Sequence, residues 1–441
     1  MWEGASRTMK TIEFKQLDET LYYEKLENGL DVYILPKKGY SKTYVTFTTK
    51  YGSVDRTFVP LGETESITVP DGIAHFLEHK MFEKEDGDVF QKFSEYGASA
   101  NAFTSFTRTA YLFSSTDNIY KSTETLLNFV QEPYFTEATV NKEKGIIGQE
   151  ITMYDDQPDW RLYFGTIENM YHNHPVKIDI AGTIETIDGI TADHLYTCYN
   201  TFYHPSNMLL FVIGAVDPNE MMTFIRDNQG KKEFTEPTPI QRYFDKEPTE
   251  VAIKERELHM DVQKPKVYIG LKAKETNLSG RDMLKHELSV QIALELIFGR
   301  TSEFYERIYE NDLIDETYAF DFTLENGFGF AMIGSDSADP AALEKAIKEE
   351  LAKYDEDAQF ESGDLERVKR KKIGFFLRAL NSIEFIANQF TRYSFNEMNL
   401  FDVVPVLEEL TIEDLKKAFS SIQGESQQTV FKILPTEKGE Q

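Results

Sequence analysis

The chain has 441 residues, 41% of them hydrophobic and 13% aromatic, which is enough apolar material for large cores and excludes a disordered chain. Against 75 acidic residues stand 47 basic ones, a net charge of −28 that opposes binding to nucleic acid or an anionic membrane and serves either solubility or an acidic cavity that attracts cationic or extended peptide segments. No run of 18 apolar residues marks a membrane span, the N-terminus has no signal-peptide core, and the single Cys198 cannot form an internal disulfide, so a cytoplasmic protein is expected.

Residues 1–8 differ in character from the rest of the chain, and Met9 is a candidate alternative start. Residues 12–52 read as short strands and tight turns, among them Val32–Leu35 and Tyr44–Thr49, separated by Pro36-Lys-Lys-Gly39. A polar loop then ends in Pro70-Asp71-Gly72, a good helix start. The next stretch, to Phe82, holds His75, Glu78 and His79 in the order H-x-x-E-H. In a helix the two histidines lie one turn apart on one face, a spacing that can grip one Zn²⁺. Glu78 falls beside them, close enough to take a proton from a water at the metal. With 8 His and 75 acidic residues in the chain, about 0.025 such matches are expected by chance.

Asp88 to Tyr96 reads as a second helix closed by Gly97, and residues 98–116, rich in Thr, Phe and Tyr, read as a hairpin. Amphipathic helices are expected over 117–132, with Ile119, Leu126, Leu127 and Val130 as core, and over 137–155. Helical segments continue to about 201, where Cys198 reads as a buried structural thiol. A buried strand comes next, within 204–216, then a short helix over 218–228. Residues 229–255 lack apolar periodicity, and Glu236-Pro-Thr-Pro239 is a stiff connector. The expected division is therefore 1–230, a linker 231–255, and 256–441.

The second half repeats the order of the first. Lys266–Lys272 takes the part of Tyr44–Thr49, and a helix from Leu288 to Phe298 stands where the H-x-x-E-H helix stood, with Ser289, Ile292 and Ala293 near the His, Glu and His positions. The strand Gly329–Ser335 and the helices 340–353 and 364–381 complete the repeat. The fold class expected is α+β: two homologous α/β halves, each a mostly antiparallel sheet covered by helices, with ligand chemistry in the first half alone.

A catalytic zinc needs a third protein ligand. His172 and His174 are candidates, although Tyr171-His-Asn-His-Pro175 reads better as a turn. Glu143 and Glu150 lie seven residues apart, two turns along one helix face, and periodicity does not choose between them.

The chain resembles the pitrilysin/insulinase family of zinc peptidases, in the two-domain branch that includes the mitochondrial processing peptidase, and within it the cytosolic homologues of bacilli. The resemblance rests on Gly72–Phe82, Gly97–Thr104, Glu143–Glu150 and Tyr203-His-Pro-Ser-Asn-Met208, and runs from about residue 20 to 435. It implies a zinc endopeptidase with His75, His79 and Glu150 as ligands, Glu143 supporting them, and Glu78 as general base. It also implies that the strand carrying Asn101, Ala102 and Phe103 takes an extended peptide as an added strand. The family completes its site with an Arg and a Tyr seven residues apart in the second half. Here Tyr309 and Glu316 occupy those positions, with Arg307 and Tyr318 nearby in a shifted register. This departure suggests a heterodimer in which a homologous, zinc-less subunit supplies the Arg/Tyr pair, with a homodimer as the runner-up. The competing function is a non-catalytic peptide-binding or assembly subunit that retains a zinc site.

Overall fold

The structure, a computed structural model, describes residues 9–354 and 360–436; the distinct N-terminal stretch 1–8 lies outside the described residues. The chain forms two compact units. The first comprises the residues up to Ile151, Asp179–Phe244 and Ala379–Phe395; the second comprises Thr152–Ile178, Asp245–Arg378 and the residues from Asn396 onward.

In the first unit, strands β1 (Lys10–Phe14), β2 (Glu19–Lys25), β3 (Asp31–Pro36), β4 (Thr43–Thr49), β5 (Ser99–Thr104), β6 (Thr109–Ser115) and β7 (Met208–Gly214) form one sheet in the order β1-β2-β3-β7-β4-β6-β5. All its pairings are antiparallel except β7 on β3. β4 and β7 are buried along their whole length, as the central strands of a covered sheet must be. β5 is the last strand in the order, so its outer edge has no strand beside it among those described. Helices α1 (Ile73–Met81), α2 (Ile119–Gln131) and α3 (Glu137–Asp155) belong to this half of the chain. α1 packs against β5 and β6, and α2 against β4 and β6. Leu126, Leu127 and Val130 of α2 are buried as expected, whereas Ile119 is half-buried.

In the second unit α4 (Pro158–Met170) and α5 (Gly280–Phe298) accompany strands β8 (Glu255–Met260), β9 (Lys266–Lys272), β10 (Ala319–Glu325), β11 (Phe328–Asp336) and β12 (Gln428–Pro435). Their order is β8-β12-β9-β11-β10, again antiparallel except for the pair β8 and β12. Strand for strand this is β3-β7-β4-β6-β5 of the first unit, with β1 and β2 as the addition. Helices α6 (Pro340–Ala352) and α7 (Ser362–Ala379) follow β11 as α2 and α3 follow β6. The α+β duplication read from the sequence is therefore present.

The units are not continuous in the chain, as a division at 1–230 and 256–441 would make them. α4, from the first half, covers β9 and β12 in the second unit. α8 (Ile383–Phe395), from the second half, covers β4 and β7 in the first. Residues 231–255 are divided between the two units, at Phe244 and Asp245. Arg242 pairs with buried Asp55 in the first unit. In the second, Glu247 accepts the backbone N–H groups of His172, Asn173 and His174 together with the Lys272 ammonium.

Two expectations are corrected by α5. The helix starts at Gly280, not Leu288, because Met283, Leu284 and Glu287 are already buried. Ser289, Ile292 and Ala293 all face the interior, whereas Gln291 and Glu295 are the half-buried pair one turn apart, as His75 and His79 are in α1. The positions matching His75, Glu78 and His79 by burial are thus Gln291, Leu294 and Glu295. They line a cavity of about 340 Å³ with Phe320, Phe322 and Lys371, and Lys371 pairs with Glu295. Among the described helices none is long and apolar enough to cross a membrane.

Candidate metal centre

α1 begins at Gly72, whose φ of +87° suits glycine; a Cβ there would lie 2.4 Å from the Ala181 carbonyl oxygen. Ile73, Ala74, Phe76, Leu77 and Met81 are buried, so packing fixes the rotation of the helix and leaves His75 and His79 at the surface of the core, ring centroids 4.5 Å apart. α3 runs past this face. Its Glu150 places Oε1 3.7 Å from His75 Nε2 and Oε2 3.6 Å from His79 Nε2, beyond hydrogen-bonding distance. One donor atom from each of His75, His79 and Glu150 falls within 4.8 Å of the others, and this is the group of potential metal ligands among the described residues.

Two imidazole nitrogens and a carboxylate oxygen at these separations fit Zn²⁺, whose tetrahedral ligands stand about 3.4 Å from one another at the usual bond lengths. Buried His75 Nδ1 has no hydrogen-bond partner among the described residues. Burial, reinforced by the His79 charge, pushes the His75 imidazole down to about 4, so it is neutral and has a lone pair to give. His79 behaves differently. Burial lowers it, but the hydrogen bond to Glu143 and the charges of Glu78, Glu150 and Glu143 outweigh burial and raise it.

Glu143 shares a helix face with Glu150 but meets a different atom of the same ring: its Oε1 lies 3.2 Å from His79 Nδ1, on the far side of the imidazole from Glu150. Burial would raise its carboxyl, yet the His79 hydrogen bond and the His79, Lys80 and Lys142 charges hold it below the ordinary range. Glu78 is 8% exposed, and desolvation raises its carboxyl against the opposing Thr104 hydrogen bond. That bond, from Thr104 Oγ1 to Glu78 Oε2 at 2.7 Å, involves a residue the motif does not single out. The signal for it is strand alternation, which puts Ala102 and Thr104 on one face of β5.

Asn101, Ala102 and Phe103 all lie on β5, the edge strand. Asn101 Oδ1 accepts the Ala102 N–H at 2.9 Å, and the Arg108 guanidinium lies 5.7 Å from the centre of the Phe103 ring. His172 and His174 are not gathered with this group. They form the loop held by Glu247 in the second unit, where His174 Nδ1 accepts the Val176 N–H. Cys198 is buried, and its thiol is pushed up to about 12 by desolvation, as a structural cysteine should be. In the second unit Arg307 is committed to Glu350 at 2.6 Å, and the Tyr318 hydroxyl donates to the Phe298 carbonyl at 3.0 Å. Tyr309, at the position of the expected arginine, is 62% exposed.

The family described as Insulinase (Peptidase family M16) matches residues 58–184, and the one described as Peptidase M16 inactive domain matches 189–372. A Bacillus subtilis (strain 168) protein named uncharacterized zinc protease YmfH is 60% identical over 427 residues, 97% of this chain and 99% of its own. Among solved structures, an M16-like protein from Alicyclobacillus acidocaldarius superimposes with a TM-score of 0.91 at 38% identity, covering 98% of this chain and all of its own. A protease from Helicobacter pylori, at 21% identity, shares the fold with a TM-score of 0.79 over 94% of this chain and 99% of its own. The chain belongs to the insulinase, or M16, family of peptidases.

Proposed function

We propose that the chain is the zinc-bearing subunit of an endopeptidase that cuts extended peptides, such as precursor or leader segments and small unfolded polypeptides. His75 and His79, through Nε2, and Glu150 would hold one Zn²⁺ per chain, with Glu143 fixing the His79 ring through Nδ1. The bound ion supplies a Lewis acid that polarises the scissile carbonyl and acidifies water. Glu78, buried beside the ligands, accepts the proton of the attacking water and returns it to the leaving amine. The open edge of β5 takes the peptide backbone in an extended form, with Asn101, Ala102 and Phe103 nearest the scissile bond.

The observation that carries this reading is the convergence of His75 Nε2, His79 Nε2 and both Glu150 oxygens, with the Glu78 carboxylate on the intervening turn of the same helix. A homologous, zinc-less partner supplying an Arg/Tyr pair belongs to the same proposal. Its support is that Arg307 and Tyr318 are already engaged within the second unit. A reducing, cytoplasmic setting is likewise proposed, on the strength of one buried cysteine.

The test is Glu78→Gln, assayed on an internally quenched peptide in the presence of the partner. Cleavage is expected to fall by a factor of about 10² or more with zinc content and folding retained. Unchanged cleavage removes Glu78 from the reaction and sinks its assignment as the general base.

A further inference from the structure

We propose that Thr104 is a positioning residue for the reaction: its hydroxyl holds one oxygen of Glu78, so that the strand receiving the peptide also aims the general base. The inference rests on the reading of Glu78 given above. Thr104 Oγ1 donates to Glu78 Oε2 at 2.7 Å, and no other hydrogen bond to this carboxylate is present among the described residues. Glu78 as a whole is 8% exposed, so the tie to Thr104 lies in a largely desolvated place.

A carboxylate at the end of a side chain turns about a broad, nearly two-fold torsion. With Oε2 tied to a hydroxyl, the plane of the group is set and Oε1 keeps its lone pairs for the proton it must accept. The tie comes from a rigid place. Thr104 is the last residue of β5 and is paired in register with Thr109 of β6, whose own hydroxyl donates to the buried Tyr51 carbonyl at 2.9 Å. α1 packs directly on β5. Alternation puts Thr104 on the same face as Ala102, two residues before it on the edge proposed to bind peptide. One element therefore sets both where the substrate lies and where the base points.

The test compares wild type, Thr104→Val and Thr104→Ser, each loaded with zinc. Valine keeps the shape and suits a strand but donates nothing; serine restores the donor. Crystal structures of the three chains read the position without turnover. The Glu78 carboxylate is expected to rotate away from its wild-type plane in T104V and to return to it in T104S. In the active assembly, kcat should fall about 10- to 100-fold in T104V at unchanged KM and zinc content, with recovery in T104S. A Glu78 carboxylate in the wild-type position in T104V, or no recovery in T104S, overturns the inference. If E78Q is inactive while T104V cleaves at the wild-type rate, Thr104 alone is dismissed. If E78Q cleaves normally, the reading of Glu78 falls first.

Discussion

His79 Nδ1 and Glu143 Oε1 are 3.2 Å apart, while His79 Nε2 faces Glu150 at 3.6 Å. The ring thus lies between two carboxylates with different tasks. A carboxylate at Nδ1 takes that N–H, fixes the tautomer and leaves Nε2 as the donor to a metal. Glu143→Gln keeps an oxygen acceptor but removes the charge, and zinc affinity should weaken about 10- to 100-fold. Glu150→Gln, which removes the charge of the proposed third ligand, should weaken it further. Competition with a chromophoric chelator measures both. Equal affinity in E143Q and wild type would separate Glu143 from the metal.

Removing zinc should stop cleavage without unfolding the chain. The candidate ligands are three in number and half-buried, and each sheet is covered by a core of buried apolar side chains that takes no part in them. A chelator-treated chain should keep its far-ultraviolet circular dichroism and melt cooperatively at a lower temperature. The loss corresponds to about 3 kcal/mol when free zinc had stood at 100 times its Kd. Collapse of the secondary structure on chelation would instead mark the ion as structural.

Much of this centre is legible in the residues. The motif sets two of the chain's eight histidines at helical spacing with Glu78 between them, so it carries its own geometry. Glu143 and Glu150 share a helix face, and periodicity treats them alike; only the approach of α3 to α1 places one at Nδ1 and the other at both Nε2 atoms. The exchange of α4 and α8 between units leaves no trace in the pattern, because an amphipathic helix shows which face is buried but not which sheet buries it. The register of the second copy slips by two, to Gln291 and Glu295, since no ligand residue anchors it there. Thr104 is hidden for the reason that any threonine in a strand is ordinary until its hydroxyl has a partner.

His174 should make the second unit sensitive to acid. Its ring lies 5.8 Å from Tyr171 and 5.2 Å from Phe328, centroid to centroid, and its Nδ1 must stay unprotonated to accept the Val176 N–H. Burial, which outweighs the Glu247 charge, lowers its pKa from 6.5 to about 4. The unfolded chain therefore takes up a proton below pH 6.5 that the native chain refuses until about pH 4. Stability is whole above pH 6.5 and falls by up to about 3 kcal/mol as the pH drops through that window. His174→Asn retains an acceptor at the turn without the titration. Urea midpoints measured between pH 7.5 and 4.5 should decline more steeply in wild type than in the variant; parallel declines would clear His174 of the effect.

Tyr318 and Arg307 bear on whether the chain works alone. The Tyr318 hydroxyl serves the Phe298 carbonyl at the end of α5, and Arg307 serves buried Glu350 on α6. Tyr318→Phe should cost about 1–3 kcal/mol of stability by stranding that carbonyl, seen as a lower urea midpoint. Peptide cleavage in the active assembly should not change, since the hydroxyl points into its own unit's core. With Arg307 and Tyr318 so committed, neither is free to serve the developing oxyanion. The zinc-loaded chain alone is therefore expected to cleave about 10² to 10³ times more slowly than with its partner, the usual loss for a missing oxyanion donor. Reconstitution with the homologous, zinc-less subunit should restore the rate. A chain that reaches full turnover alone, or a Y318F variant that loses kcat at unchanged stability, would instead return the donor role to this subunit.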